Sequence, residues 1–270
     1  MSSSLIAIVT SDPALVRCEL DRARPLVTLE APGRVAGAGA YQDEVVLQRR
    51  YGLGAEGDLW EVPLSDIVLL HAGELPVDLA PEENAQPFRF RQWLFAHVGE
   101  VDRADQVRDR LYEQLPEFLQ SVVHGGTLSE VVFAQFLAEL RTLGRTEDPH
   151  LEAQLAASLL KKAARVVEQA SGEVGGTSKA RLGLVATNGR ILVAARRGVQ
   201  ALGYQLLEGR AECARCQIAA DAKDAEVKVR DHRRRRSVVV ASNPKNGDGW
   251  VQIPDGGALA VDRRLSVQIV

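Results

Sequence analysis

Apolar residues fall into short, strand-length runs at both ends of the chain and into helix-spaced sets in the middle. Residues 5–10 form the first run. It leads directly to Asp12-Pro13, a capping residue followed by a proline suited to a first helical position, so a strand and then a helix to about Arg22 are predicted. Residues 35–41 are rich in glycine and alanine, 44–51 alternate as a strand does, and 66–71 read as a buried strand. A polar, proline-containing loop is predicted over 72–91, then a strand in WLFAHVGEV that turns at Gly99. Residues 104–120, 129–143 and 151–169 carry apolar positions at three- and four-residue spacing and predict helices, with a break at Glu147-Asp148-Pro149. Beyond a glycine- and serine-rich joint at 171–178, two apolar runs flank Asn188-Gly189, predicting a hairpin whose two turn residues both take positive φ. Further strands are expected near 200–207, 237–242, 257–261 and 266–270. Strands, then helices, then strands again indicate an α+β layered domain rather than alternating βαβ units. No internal repeat is evident, and one domain over residues 1–270 is expected.

Composition narrows the function classes. With 46% hydrophobic and 26% charged residues the chain can build a core, which excludes a disordered or collagen-like protein. Lysine and arginine number 33 against 36 acidic residues, a net −3 that argues against nucleic-acid binding by the whole surface and leaves a local patch open. Three cysteines are too few for a disulfide framework, so a reducing compartment is expected. No apolar run approaches the ~18 residues that span a bilayer, and no basic segment precedes the apolar start. A cytoplasmic protein with no membrane contact is therefore expected. Met1 is followed by the small Ser2, so aminopeptidase processing would leave a free serine amine.

Four segments in order carry a resemblance. ENAQPFRFRQWLFAHVGEV, HGGTLSEVVFAQFLAEL, LGLVATNGRILVAARRG and SVVVASNPKNGDGWVQIPDGGALAV together resemble the class II glutamine amidotransferases, N-terminal-nucleophile hydrolases of the stand-alone type. The resemblance implies a four-layer αββα sandwich of two antiparallel sheets between helical layers. It also implies a set of catalytic positions, and these have changed. The family's nucleophilic cysteine after the initiator methionine is Ser2 here, a far weaker nucleophile even with its α-amine as base. The asparagine of the oxyanion hole is Val98, although its partner glycine is kept as Gly99. The arginine that binds the glutamine carboxylate is Gly73, and the aspartate that binds its ammonium is Leu128. The surrounding positions His71, Asn84, Pro87, Phe88, His97, Thr127, Ser129 and Glu130 remain. The expectation is an amidotransferase-like fold without amidotransferase chemistry, acting as a binding, regulatory or scaffold protein for another protein. The alternative is an N-terminal-serine amidohydrolase or amidotransferase using Ser2. A homo-oligomer stays open.

Two further features compete for attention. Cys213 and Cys216 form a C-x-x-C pair, half of a zinc site or a redox pair, which makes a metal- or redox-responsive module the second alternative function, against two incidental thiols in a loop. A closed zinc site needs two more ligands; His232 and Asp231 are near in sequence, Cys18 is remote, and no cofactor is expected unless zinc. Residues 228–236 carry six basic residues and one acidic one. Arg233, Arg234, Arg235 and Arg236 are thus candidates for docking an acidic partner, against a plain solvated loop and strand start. The lack of interleaved aromatics disfavours nucleic acid.

Overall fold

In the computed structural model, which describes residues 3–29, 34–52, 59–76, 78–176, 180–198, 201–245 and 249–270, the first apolar run becomes strand β1 (Ser3–Thr10). Leu5, Ala7 and Val9 face one apolar cluster while Ile6 and Ile8 face another, so the strand is buried on both sides and shows no polar alternation. The Asp12 carboxylate accepts from the Ala14 N–H at 2.9 Å and starts the turn that leads into α1 (Val16–Ala23). Helix α1 lays Val16, Leu20 and Ala23 on the outer cluster.

The glycine- and alanine-rich stretch is also a strand, β2 (Arg34–Gln42), paired with β3 (Glu44–Tyr51) and β4 (Ile67–Glu74). A Cβ on Gly37 would fall 2.2 Å from the Gln86 carbonyl oxygen, so close approach of the next segment requires a bare backbone there. That next segment is more ordered than the predicted loop over 72–91. It completes β4, forms the one-turn helix α2 (Pro81–Asn84) and opens a second sheet with β5 (Phe88–Phe90). Strand β6 (Trp93–Glu100) runs through Gly99, which stays paired with the neighbouring strand and does not end β6. Its φ of +120° and a phantom Cβ only 2.0 Å from the Arg181 carbonyl oxygen restrict the position to glycine.

The helix expected over 104–120 is two, α3 (Ala104–Gln114) and α4 (Glu117–Gln120). Pro116 excludes helical backbone at Leu115, which sits at φ −69°, ψ 144°. Helices α5 (Leu128–Thr142) and α6 (Ala153–Glu173) complete this layer, α6 reaching into the glycine- and serine-rich joint. The hairpin of β7 (Arg181–Thr187) and β8 (Leu192–Arg197) is present, with a correction to its turn. Of Asn188 and Gly189 only the glycine takes positive φ. The Asn188 side chain closes the loop instead, Oδ1 accepting from the Arg190 and Ile191 N–H groups at 3.0 and 3.1 Å.

Strand β9 (Gly203–Leu207) is followed by a long connection containing α7 (Val227–Arg234), then β10 (Ser237–Ala241), β11 (Val251–Gln252), β12 (Ala258–Val261) and β13 (Val267–Ile269). Helix α7 stands where a loop was expected. Only Val229 and His232 of its residues are buried, too few to print a helical period on so basic a segment.

The strands form two antiparallel sheets, ordered β11-β9-β10-β1-β4-β2-β3 and β13-β12-β8-β7-β6-β5. Leu5, Leu69, Leu94, Val185 and Val240 fill the space between them. Helices α5 and α6 cover the outer face of the second sheet through Phe133, Phe136, Leu160 and Val167, α3 joins the same cluster through Val107 and Leu111, and α1 covers the outer face of the first. This is the expected four-layer sandwich. Among the described residues no helix is long and apolar enough to cross a membrane.

Candidate active-site cavity

Strand parity builds the site. In the β1–β4 pair Ser3 lies opposite Gly73 and Leu5 opposite His71. Leu5, Ala7, Ile67 and Leu69 point between the sheets, so the same parity brings Ser3, His71 and Gly73 to the edge of that space. A cavity of about 190 Å³ opens there. Ser3 and His71 line it from the first sheet, His97, Gly99 and Glu100 from β6, and Thr127, Leu128 and Ser129 from the start of α5. Of the positions singled out in sequence, Gly99 and Leu128 line the cavity, Gly73 lies beside Ser3 and His71 at its edge, Val98 does not line it, and Ser2 lies outside the described residues.

What they offer differs from residue to residue. A Cβ on Gly73 would sit 2.9 Å from Ser3 Cβ and 3.1 Å from His71 Cε1, so any larger residue there displaces its neighbours. Val98 is 1% exposed and packs into the inter-sheet core beside Leu94 and Ala96. Leu128 forms part of the wall and packs into the helical core. The remaining charged lining is acidic: Glu74, Glu100 and Asp105, with Glu100 ion-paired to Arg181. No lysine or arginine is among the described lining residues.

The two histidines do not compensate. Burial, reinforced by nearby His97, pushes His71 down to about 3, and burial pushes His97 down to about 4, so both rings are neutral at pH 7. His97 Nδ1 lies 2.8 Å from Ser129 Oγ, and its backbone N–H donates to Gln86 Oε1 at 2.6 Å. Both ring nitrogens of His71, together with His97 Nε2, lack a hydrogen-bond partner among the described residues.

The retained neighbours hold the rim. Glu130 accepts from the His124 and Gly125 N–H groups at 3.2 and 2.6 Å, and burial raises its pKa. Asn84 Oδ1 accepts from the Gly126 N–H at 2.7 Å while its Nδ2 donates to the Ala80 carbonyl at 2.9 Å. Sequence reasoning found Asn84 and Glu130 but missed Gln86 and the three carboxylates. The place of Gln86 beside Pro87 was its one signal, whereas exposed-looking acids gave none.

A larger cleft of about 590 Å³ lies over Arg49, Arg89 and Arg91 together with Glu82, Glu83 and Glu130. Its charges are mixed, and Arg49 and Arg89 already donate to backbone carbonyls. The smaller cavity is lined by His71, His97, Gly99, Thr127, Leu128 and Ser129, whereas Phe88 and Glu130 line the larger cleft.

The other sequence candidates lie elsewhere. Cys213 and Cys216 pack with Cys18 of α1, in the layer outside the first sheet. The arginine run is divided: Arg233 pairs with Asp224, Arg235 is 2% exposed and pairs with Glu19, and Arg234 and Arg236 are exposed. These four do not form one continuous basic patch.

Comparison with known proteins agrees with the geometry. The family model described as glutamine amidotransferases class-II matches residues 61–268. A glutamine aminotransferase class-II domain protein from Silicibacter pomeroyi shares the fold with a TM-score of 0.63 and 20% identity, over 99% of this chain and 98% of that one. A predicted glutamine amidotransferase from Pseudomonas aeruginosa PA01 gives a TM-score of 0.56 and 16% identity over 96% and 93%. The glutamine phosphoribosylpyrophosphate amidotransferase of B. subtilis, complexed with ADP and GMP, gives 0.55 and 14%, over 99% of this chain and 48% of that one. No curated protein matches significantly. Fold, cavity and sequence model converge on one assignment: the chain belongs to the class II glutamine amidotransferase family.

Proposed function

We propose that this family member has given up glutamine chemistry and acts by binding another protein. The observation that carries the reading is the lining of the cavity, which holds Leu128 and three carboxylates but no described cation. Free glutamine brings an α-carboxylate, and each charge-assisted contact to such a group contributes roughly 1.5–3 kcal/mol. Here that carboxylate meets acidic and apolar surface. The developing oxyanion meets Gly99 alone, since Val98 is turned into the core; one missing donor costs about 2.7–4 kcal/mol of transition-state stabilisation. The test is ammonia release from L-glutamine by the purified protein and by its Ser2→Ala variant. Background rates in both are expected. Turnover by the wild type that disappears in Ser2→Ala overturns the reading.

A second reading is favoured by one observation, the gathering of Ser3, Gly99 and two neutral histidines around one cavity. It is an N-terminal-serine amidohydrolase whose amide lacks a carboxylate, Ser2 being nucleophile and its α-amine the base. Intact-mass measurement decides its premise, because retained Met1 blocks the amine. For the binding role, Arg234 and Arg236 remain as exposed contacts for an acidic partner.

A further inference from the structure

We propose that Cys18, Cys213, Cys216 and His232 form a closed structural zinc site that staples the β9–β10 connection to α1. The proposal stands apart from the fate of the cavity. The four ligand atoms, three Sγ and one imidazole nitrogen, all lie within 4.8 Å of one another. Zn–S bonds of ~2.3 Å in a tetrahedron set sulfur atoms about 3.8 Å apart; Cys18 Sγ and Cys216 Sγ are separated by 3.5 Å.

Each ligand is delivered by local structure. Cys213 and Cys216 share a tight turn in which the Cys213 and Ile218 N–H groups exchange hydrogen bonds with each other's carbonyls at 3.0 and 2.9 Å. Gln217 closes it with a left-handed φ of +54°. Arg215 anchors the turn to α1 by donating to Asp21 at 2.6 Å, and it reaches Glu61 at 2.6 Å. Cys18 is buried on the same helix.

His232 supplies the independent sign of a ligand. It is 1% exposed, and its Nδ1 lies 2.7 Å from the Lys228 carbonyl, which can only accept. Nδ1 therefore carries the proton, and the lone pair is on Nε2. That atom is buried with no hydrogen-bond partner among the described residues. A backbone carbonyl on one nitrogen and a metal on the other is the usual way a ligating histidine is oriented. A buried acceptor left idle would otherwise cost stability for no return.

Charge is balanced as well. Zinc with three thiolates and a neutral imidazole carries −1. Beside it, Glu19 faces both Arg22, at 3.9 Å, and Arg235, a trio of net +1 in which Arg235 Nη1 has no partner among the described residues. Three soft thiolates and an imidazole suit zinc, and four protein ligands leave no open position for substrate. The role is mechanical: around the thiols the connection buries only Ala211, Ile218 and Val229, too little apolar surface to hold itself in place.

The test uses the full chain purified without chelating resin under reducing conditions. Elemental analysis should find about one zinc per chain, and cobalt(II) exchanged into the protein should show the d–d and thiolate charge-transfer bands of a tetrahedral site. His232→Ala should loosen the metal by more than the roughly 10–100-fold that loss of an outer partner costs, while His232→Cys retains it. Folded protein with less than about 0.1 zinc per chain and no cobalt spectrum overturns the proposal, as does a Cys18–Cys216 disulfide or an iron–sulfur absorbance in the purified protein. Glutamine turnover is unaffected by these arms, so the two proposals fail separately.

Discussion

Two regions of this molecule bury imidazoles whose nitrogens have no hydrogen-bond partner among the described residues, and they differ in what those nitrogens face. In the cavity, His71 and His97 are neutral and look onto each other, a serine hydroxyl and acidic or apolar walls. In the outer layer, the idle Nε2 of His232 looks onto three thiols. The cavity keeps family-like neighbours, and no lysine or arginine is among its described lining residues. The outer cluster has a complete donor set and no familiar neighbours. An unpartnered buried nitrogen therefore carries meaning only through the groups opposite it: carboxylates and apolar walls in the cavity, three thiols in the outer layer.

The largest expected effect is acid sensitivity of the cavity. His71 and His97 have folded pKa values of about 3 and 4, below the unfolded value near 6.5, so the unfolded chain binds more protons as pH falls. Their contribution to stability is complete above about pH 6.5 and drains away toward pH 4 and 3, on the order of 5 kcal/mol for the pair by about pH 4.5. Urea denaturation across pH should show this slope, and a His71→Gln/His97→Gln variant should flatten it. An unchanged slope would put both rings in contact with solvent.

Beside the thiols, Glu19→Ala should be nearly as costly. It strands the fully buried Arg235 and removes the acceptor of the Ser237 hydroxyl, and breaking such a pair costs about 3–5 kcal/mol. Equilibrium unfolding measures it, and a loss below about 1 kcal/mol would mean that Arg235 finds water. Ser129→Ala in the cavity should cost only about 1 kcal/mol, the net worth of one hydrogen bond to neutral His97. The smallest effect has the opposite sign. Gln217→Gly removes a left-handed side chain from the turn and should stabilise by about 0.5 kcal/mol, read as a small rise in Tm.

The sequence made the fold legible where elements bury whole runs. Strand β1, the β7–β8 pair and the helical middle announce themselves because each fills a core face along its entire length. Legibility failed at α7, where two buried residues cannot mark a period, and at Leu115, where the residue before a proline outweighed a helical pattern. The cavity was readable because its positions sit inside recognisable segments. The thiol cluster was only half readable: Cys213 and Cys216 declare their turn by spacing, but nothing local ties them to Cys18, 198 residues from Cys216. That link exists only once β10 has paired with β1 and carried α7 over α1.

Cys18 and Glu19 are consecutive on one turn of α1, yet one meets the thiols while the other meets the Arg235 guanidinium and the Ser237 hydroxyl. The helix cannot swivel to please either neighbour without offending the other. A single inserted residue between Asp12 and Cys18 would rotate both by about 100° and sever both attachments together. Descendants of this sequence are therefore free to lengthen the exposed stretch between Cys216 and His232, but the short run from β1 into α1 is fixed in length.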